Sequence, residues 1–435
     1  MIRNKQIVWV YIIFALTITK VYAAPLTIEI TQGIENATPI AIVPFGIEGV
    51  APPADLASIV SNDLERSGLF RPLPARDMLS KPKDVNNIKF QNWRLLDIEH
   101  LVVGTIRSTI DNRYEATFWI TDVFKGQIPD KKYIVKGSKE GFRAIAHGVS
   151  DIIYKEITGV RGAFSTHLSY VTAKGVGKSR KYMLWTSDAD NENALPIHTS
   201  FFPIMSPSWS PDGTKIAYSS LENNGSQLII VQGVFDSTRI TIGNSSLGLF
   251  GAPSWSPDGK QLAMHVIKDG NSEVYVINLA TKKRRQLTRH WAIDTEPVWT
   301  PDGKSIIFTS DRGGRPQLYR MSAKGGRAER LTFEGKENSR AAISPDGKLV
   351  AMAHRGNGKF QIAVMELESR NLRVLTDGAL DESPSFAPNG SMIIYATTVG
   401  ERGVLATVSV DGQFRQKLSS QDDVREPAWS PFNKK

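Results

Sequence analysis

Two hydrophobic patterns divide the chain. Residues 25–160 mix strand-like and helix-like runs, whereas residues 161–435 contain only short, strand-like apolar runs. The apolar residues between Ser138 and Ile157 fall on one face of a predicted helix, which ends at Gly159. Asp55 can cap a second helix that runs to about Ser67. Strands are predicted at 26–31, 39–43, 101–110, 114–124 and 133–136. The pattern predicts an α+β N-terminal domain followed by an all-β domain.

A turn motif recurs through the second region. Trp-Ser-Pro-Asp-Gly and its variants begin at Trp209, Trp255, Trp299, Ile343, Phe386 and Trp429, spaced 46, 44, 44, 43 and 43 residues apart. Proline presets φ, aspartate bonds its own backbone and glycine accepts positive φ, so the motif makes a tight turn. Four short strands per period of about 40–45 residues are typical of a β-propeller blade.

The ends of the repeat region predict how the ring closes. Strand-like segments at 168–171, 182–185 and 194–198 precede the first motif and lack one of their own. The last motif, at Trp429, has no strands after it. We therefore expect the strand around Ala428 and Trp429 to complete a composite blade in a six-bladed propeller, which removes free sheet edges at the join.

The first 23 residues have the three parts of a secretion signal. Arg3 and Lys5 precede an apolar run over 7–18, and Val21-Tyr22-Ala23 places small residues at a cleavage site. An uncleaved membrane anchor is the alternative, but the run is shorter than the roughly 20 residues that a bilayer span needs. We predict a signal peptide at 1–23, an N-terminal domain at 24–160 and a propeller at 161–435, in an exported protein.

Composition narrows the possible chemistry. The chain has no cysteine, which excludes disulfides and thiol catalysis, and a formal charge of +9. Its densest basic cluster, Lys282–Arg285, lies between two predicted strands and is interpreted as a solvated hairpin rather than a nucleic-acid site. The seven histidines show no zinc-ligand spacing, and Gly-x-Ser-x-Gly is absent. We expect no catalytic residues, cofactor or metal.

Residues beside the predicted innermost strands should rim one mouth of the channel. This rim contains Ser206, Ala252, Thr295, Glu296, Arg340, Glu382, Ser383, Arg425 and Glu426. Three of its carboxylates should converge there, with the two arginines as counter-charges. We interpret the rim as a partner-binding site; the alternative is that Glu-Pro simply starts a strand and its carboxylate is solvated. These carboxylates are also the single feature that favours a competing function, a propeller hydrolase or lactonase with a metal in the channel.

The predicted start of the exported chain is a second candidate interface. Leu26, Ile28 and Ile30 alternate with polar residues. Such a segment can add to the sheet edge of a partner. The alternative is an edge strand of its own domain.

Two long segments resemble the TolB family. These are 146–159, continued by Gly162-Ala-Phe and Ser169-Tyr-Val, and 294–319, which contains the third motif. The resemblance covers nearly the whole chain. It implies a periplasmic, non-enzymatic, monomeric adaptor of the Tol–Pal system that links the peptidoglycan-associated lipoprotein (Pal) to TolA. It also implies support of outer-membrane integrity and of envelope constriction at division, contacts with other outer-membrane proteins, and use of some members by bacteriocins.

The resemblance also assigns the two interfaces. It implies that the mouth receives the lipoprotein, with Ala252, Thr295 and Glu296 matching the family pattern, and that the N-terminal segment binds TolA when released. One departure is Leu249-Phe250, where some relatives carry His-Asn.

Overall fold

The structure is a computed structural model that describes residues 27–32, 37–222, 226–236, 238–242, 248–419 and 422–433. The predicted signal peptide and Leu26 lie outside these residues. Within them, no helix is both long and apolar enough to span a bilayer.

The N-terminal domain is a mixed sheet with helices on both faces. The central strands β2 and β5 are parallel, and β5, β6 and β7 form an antiparallel meander at one edge. Its elements are β2 (Thr38–Ile42), β3 (Gly46–Glu48), α1 (Leu56–Arg66), β4 (Phe70–Pro72), 3-10 turns at Ala75–Asp77 and Val85–Asn87, α2 (Phe90–Arg94), β5 (His100–Ser108), β6 (Arg113–Asp122), β7 (Tyr133–Ser138) and α3 (Phe142–Thr158).

Local signals fix the two long helices. Asp55 accepts a hydrogen bond from the backbone N–H of Ala57 at the start of α1, and Gly159 ends α3 in a left-handed conformation with φ of 77°. The apolar faces of both helices pack on one side of the sheet around Val60, Phe118 and Val149. A smaller core that contains Trp93 of α2 covers part of the other side.

The propeller has six four-stranded antiparallel blades. In the list that follows, the strand named first in each blade is the innermost one. Blade 1 contains β31 (Asp423–Trp429), β8 (His167–Lys174), β9 (Lys181–Asp188) and β10 (Leu195–Ser200); blade 2, β11 (Ile204–Trp209), β12 (Lys215–Glu222), β13 (Ser226–Gly233) and β14 (Arg239–Ile242); blade 3, β15 (Leu249–Trp255), β16 (Gln261–Lys268), β17 (Asn271–Asn278) and β18 (Arg284–Gln286); blade 4, β19 (Asp294–Trp299), β20 (Ser305–Ser310), β21 (Gln317–Ser322) and β22 (Glu329–Arg330); blade 5, β23 (Glu337–Ile343), β24 (Leu349–Arg355), β25 (Phe360–Glu366) and β26 (Leu372–Val374); blade 6, β27 (Glu382–Phe386), β28 (Met392–Val399), β29 (Arg402–Ser409) and β30 (Arg415–Ser419). A further 3-10 turn spans Gly177–Ser179.

Ring closure follows the prediction from the sequence. β31 pairs antiparallel with β8, with Trp429 opposite Leu168, so the last strand completes the first blade. The indole N–H of Trp209 donates to the carbonyl of Ala428 at 3.2 Å and ties blade 2 to that strand. The composite blade is confirmed.

The first described strand lies away from its own domain. β1 (Thr27–Gln32) pairs antiparallel with β30, with Thr27 opposite Ser419 and Ile30 opposite Gln416. It is therefore a fifth, outermost strand of blade 6 and has no place in the N-terminal sheet. The alternative that this segment is an edge strand of its own domain is wrong.

The N-terminal domain sits on the ring face that carries the motif turns. Gly68 follows α1, has φ of 76° and packs against Phe414. An added Cβ at this position would lie 2.4 Å from the ring. Asn389, in the motif turn of blade 6, donates to the carbonyl of Arg161 at 3.0 Å. The guanidinium of Arg161 lies 3.9 Å from the ring centre of Phe432. Among the described residues, the N-terminal domain leaves the opposite face, where the innermost strands begin, open.

Candidate functional site

All six innermost strands carry the same backbone irregularity. In each, one residue has positive φ and the pairing register shifts just after it: Ser206, Ala252, Glu296, Arg340, Ser383 and Glu426, with φ between 46° and 55°. Left-handed backbone is uncommon for residues other than glycine. Proline follows this residue in five strands, and Ala341 follows it in blade 5. The repeated bulge turns one side chain per blade out of the pleat.

These six residues line the central channel. The channel encloses a cavity of about 580 Å³, whose wall also includes prolines of the motif turns such as Pro301 and Pro345. Most of the wall is serine, alanine and proline, so charge is concentrated in three of the six bulge residues. These are Glu296, Arg340 and Glu426.

The charged bulge residues form one network. Nε of Arg340 lies 3.3 Å from Oε1 of Glu296, and its Nη1 donates to both carboxylate oxygens of Glu426 at 3.1 Å. Arg340 Nη1 also donates to the Ser383 hydroxyl. Oε2 of Glu296 accepts from the Thr309 hydroxyl at 2.9 Å and from the backbone N–H of Arg340 at 3.0 Å. The network spans four blades across the channel.

Electrostatics in the channel follows from this geometry. Burial alone would lower the pKa of Arg340, but Glu426, Glu296 and Glu382 outweigh it and raise that pKa above its ordinary value. Two carboxylates therefore pair with one guanidinium, and a third, Glu382, acts on it from farther away, so the site keeps an excess of negative charge. The side chains of Arg340 and Glu296 remain 31% and 26% exposed, so the network is open to solvent.

The structure brings together six of the nine rim residues predicted from the sequence. Thr295, Glu382 and Arg425 immediately precede a bulge residue and are not among the residues that line the cavity. Arg425 is turned aside and pairs with Asp423 at 3.0 Å. Arg340 pairs with both Glu296 and Glu426, as expected of a counter-charge. Of the N-terminal segment, Ile28 and Ile30 lie in β1, and Leu26 lies outside the described residues.

Exposed apolar side chains lie along part of the rim at the end of the channel where the innermost strands begin, a feature that the sequence reasoning missed. They lie on loops that lead from the outermost strand of one blade to the innermost strand of the next: Phe201, Phe202, Trp291, Ile293 and Phe333. Trp291 is 78% exposed. Exposed apolar groups rimmed by polar ones mark interaction surfaces. Their signal in the sequence is large apolar residues in the loops that precede the innermost strands of blades 2, 4 and 5.

A second ionic cluster joins the two domains. Buried Asp63 of α1 accepts from His147 Nδ1 and Ser150 Oγ, both at 2.7 Å, and from Arg66 at 2.8 Å. His147 Nε2 then faces a carboxylate oxygen of Asp190, in the β9–β10 turn of blade 1, at 3.6 Å. Arg143 of α3 also pairs with Asp190. His147, one of the seven histidines that show no zinc-ligand spacing in the sequence, is the centre of this junction.

The junction cluster contains residue types that bind metal ions, but nearby arginines already balance the charge of its carboxylates. Asp63, His147 and Asp190 place ligand atoms within 4.8 Å of one another. Arg66 and Arg143 already neutralise the two carboxylates, so a further cation would be repelled. Burial lowers the pKa of His147, but Asp63 and Asp190 outweigh it and raise that pKa above its ordinary value. Burial raises the pKa of Asp190, yet Arg66, His147 and Arg143 bring it below its ordinary value.

Comparison with known proteins agrees with both halves of the fold. Residues 26–128 match the TolB amino-terminal domain and residues 154–433 match the TolB beta propeller domain. The Tol-Pal system protein TolB of Nitrosococcus oceani is 53% identical over 411 residues, covering 94% of both chains, and that of Thioalkalivibrio sulfidiphilus is 52% identical over 413 residues with the same coverage. The crystal structure of TolB from Acinetobacter baumannii matches with a TM-score of 0.86 and 39% identity, over 94% of this chain and 100% of that one.

The fold and channel define a class of protein: a six-bladed β-propeller joined to a small α+β domain that covers one of its faces. The two matched domain models cover most of the chain and follow the same order as the two domains of the structure. The chain belongs to the TolB family, as the two long segments at 146–159 and 294–319 indicated.

Proposed function

We propose that the protein is a periplasmic adaptor of the Tol–Pal system, with one partner at the open end of the channel and another at the N-terminal segment. The relatives carry the name Tol-Pal system protein TolB, and the chain matches them over almost its full length. In this proposal the partners are the peptidoglycan-associated lipoprotein and TolA. The role is to support outer-membrane integrity and constriction of the envelope at division.

One observation carries the first half of the proposal: the bulge residues lie one to three residues after the start of each innermost strand, and loops that lead into these strands carry exposed apolar side chains. A protein interface needs an apolar centre and polar groups that fix its register. The rim around Trp291 and Phe333 supplies apolar surface. The network of Glu296, Arg340 and Glu426 supplies oriented charges that a partner side chain or N–H group can engage.

Removal of Trp291 tests this interface. The variant Trp291→Ser should weaken binding of the lipoprotein at least about tenfold, because exposed tryptophans commonly anchor interfaces. Calorimetric titration with the purified lipoprotein measures it. The matched control is Phe235→Ser, an equally accessible aromatic residue in the β13–β14 turn on the opposite face. Equal affinities of the folded Trp291 variant and the parent would contradict the proposed site.

The backbone pairing of β1 supports the second half. β1 is held along one side by β30 alone, as the outermost strand of the sheet. A strand held in this way can leave one sheet edge and pair with another through the same backbone groups. In this proposal the released segment pairs with TolA.

A disulfide can lock the segment in place. The chain has no cysteine, so Glu29→Cys with Lys417→Cys, directly opposite each other in the β1–β30 pair, introduces a unique bridge. The oxidised protein should lose binding to TolA, and a reductant should restore it, in a pull-down with the purified TolA domain. The single variant Lys417→Cys should bind TolA in both states. Binding that survives verified oxidation would show that β1 need not be released.

A further inference from the structure

Charge is distributed unevenly around the ring. Residues 281–340, which run from the end of blade 3 into the inner strand of blade 5, contain fourteen Lys or Arg and seven Asp or Glu. Their excess of seven positive charges compares with +9 for the entire chain. The basic character of the protein is therefore largely a property of blades 3 and 4.

Part of this charge lies on the ring face that carries the motif turns. Two kinds of turn meet there, because the backbone N–H groups of Leu279 and Ala323 donate to the carbonyls of Lys260 and Lys304 at 3.0 and 2.9 Å. Each bond ties the turn after the third strand to the motif turn of the same blade. The exposed basic residues of these turns, here called the basic face, are Lys260, Lys282, Lys283, Lys304, Lys324 and Arg327.

Little negative charge offsets the basic face. None of its six cations forms an ion pair with a carboxylate in the part of the chain that the structure describes. The acids of the same turns are Asp258 and Asp302, each of which accepts bonds from its own turn, including Ser256 at 2.6 Å and Thr300 at 2.6 Å. Six cations against two acids leave an excess of four positive charges.

The basic face is confined to one half of the ring. The corresponding turn of blade 5 follows Glu366 at the end of β25 and contains Glu368, and its Arg370 pairs with Glu329. Blades 6 and 1, on the other side of the ring, are covered on this face by the N-terminal domain through contacts such as Asn389 with Arg161 and Asp190 with Arg143. The half that carries the cations has no such cover in the described structure.

We propose that the basic face binds an anionic membrane surface through the phosphate groups of its lipids. The cations are long, flexible side chains spread over the turns of two neighbouring blades, which suits attraction to an extended array of charge rather than to one ligand. A nucleic-acid site would add aromatic side chains for stacking, and the turns 257–260, 279–283, 301–304 and 323–328 contain none.

This contact would orient the protein on the membrane. The exposed apolar rim lies on the opposite face of the ring, where the innermost strands begin. A protein held by its basic face therefore presents that rim away from the bilayer, free for a partner.

Charge reversal tests the proposal. The triple variant Lys282→Glu, Lys283→Glu, Lys324→Glu is compared with Lys81→Glu, Lys83→Glu, Lys89→Glu, three exposed lysines of the N-terminal domain. Both variants lower the net charge by six and keep the same N-terminal segment. The protein, purified from the envelope fraction of its own cells, is sedimented with vesicles of phosphatidylglycerol and phosphatidylcholine, or of phosphatidylcholine alone. Intact peptidoglycan sacculi are the third arm.

Each cation beside an anionic bilayer raises apparent affinity about fivefold, so the basic-face variant should bind the anionic vesicles at least about tenfold more weakly than the parent. The control variant should bind within about twofold of the parent, and added salt should weaken binding. Equal binding to neutral vesicles, equal losses in both variants, or binding to sacculi without binding to anionic vesicles would each overturn the proposal.

Discussion

The junction cluster and the channel network are built from the same groups but differ in what remains free. At the junction, three donors satisfy Asp63, whose side chain is 1% exposed. In the channel, Arg340 is held between two carboxylates beside a cavity of about 580 Å³. The polar groups around Asp63 bond to one another within the protein. Those around Arg340 also face the cavity, where water or another molecule can reach them.

This difference separates a structural role from the binding role proposed for the channel. A buried charge that loses its partner is strongly destabilising, because water cannot replace the lost bonds. A half-exposed charge can exchange a protein partner for water or for another molecule at little cost. The junction should therefore control how the two domains are held together, and the channel should control what binds.

Loss of the junction carboxylate should have the largest effect. Asp63→Ala leaves His147, Ser150 and Arg66 without their shared acceptor, and we expect a loss of about 3–5 kcal/mol of stability. Chemical denaturation followed by circular dichroism measures it. Glu65→Ala, an exposed carboxylate two residues along α1, is the control and should change stability by less than about 0.5 kcal/mol. If the two variants unfold alike, the junction is not the stabilising contact described here.

Removal of the channel cation should cost less. Arg340→Met leaves Glu296 and Glu426 unpaired but reachable by water, so we expect a loss of about 1 kcal/mol. The loss should shrink in high salt, which screens the remaining carboxylates, whereas that of Asp63→Ala should not. Arg425→Met, whose arginine pairs with Asp423 outside the cavity, is the control. A salt-independent loss at Arg340 would show that the channel network is as closed as the junction.

The smallest expected effect is the pH dependence of stability that protonation of His147 causes. The raised pKa of His147 means that its stabilising contribution is fully present below pH 6.5 and is lost as pH rises through the folded-state pKa. Asp63, Arg66, Arg143 and Asp190 are the charged groups that face it. The difference in unfolding free energy between the parent and His147→Gln should decrease as pH is raised above 6.5. A difference that grows with pH would mean that His147 is held neutral.

The architecture was predictable because its signals are local. A Ser-Pro-Asp-Gly turn needs the same residues wherever it occurs, and Asp55 and Gly159 mark helix ends by their own backbone preferences. The composite blade also followed, since strands counted before the first motif had to pair with something. The short elements β3, β4 and α2 were missed, because three to five residues carry too little periodicity.

Contacts between distant residues were not predictable in the same way. The sequence offers Arg340 and Arg425 as counter-charges but does not say which of them pairs with Glu296, because that contact depends on two bulges in adjacent blades pointing inward. Asp63, His147 and Asp190 are separated by 84 and 43 residues, and only the docking of the domains brings them together. The docking of β1 on blade 6 is a choice between two sheet edges, which alternation alone cannot make.

The six left-handed bulge residues have a consequence for the evolution of stability. An L-residue in this conformation is disfavoured by roughly 1–2 kcal/mol, whereas glycine is not. Replacement of Ser206 or Ala252 by glycine should relieve that strain and remove few contacts, yet the chain keeps a side chain at all six positions. The six bulge residues therefore lower the stability of the protein while their side chains shape the channel wall. The most stable variant of this protein need not be the one that functions best.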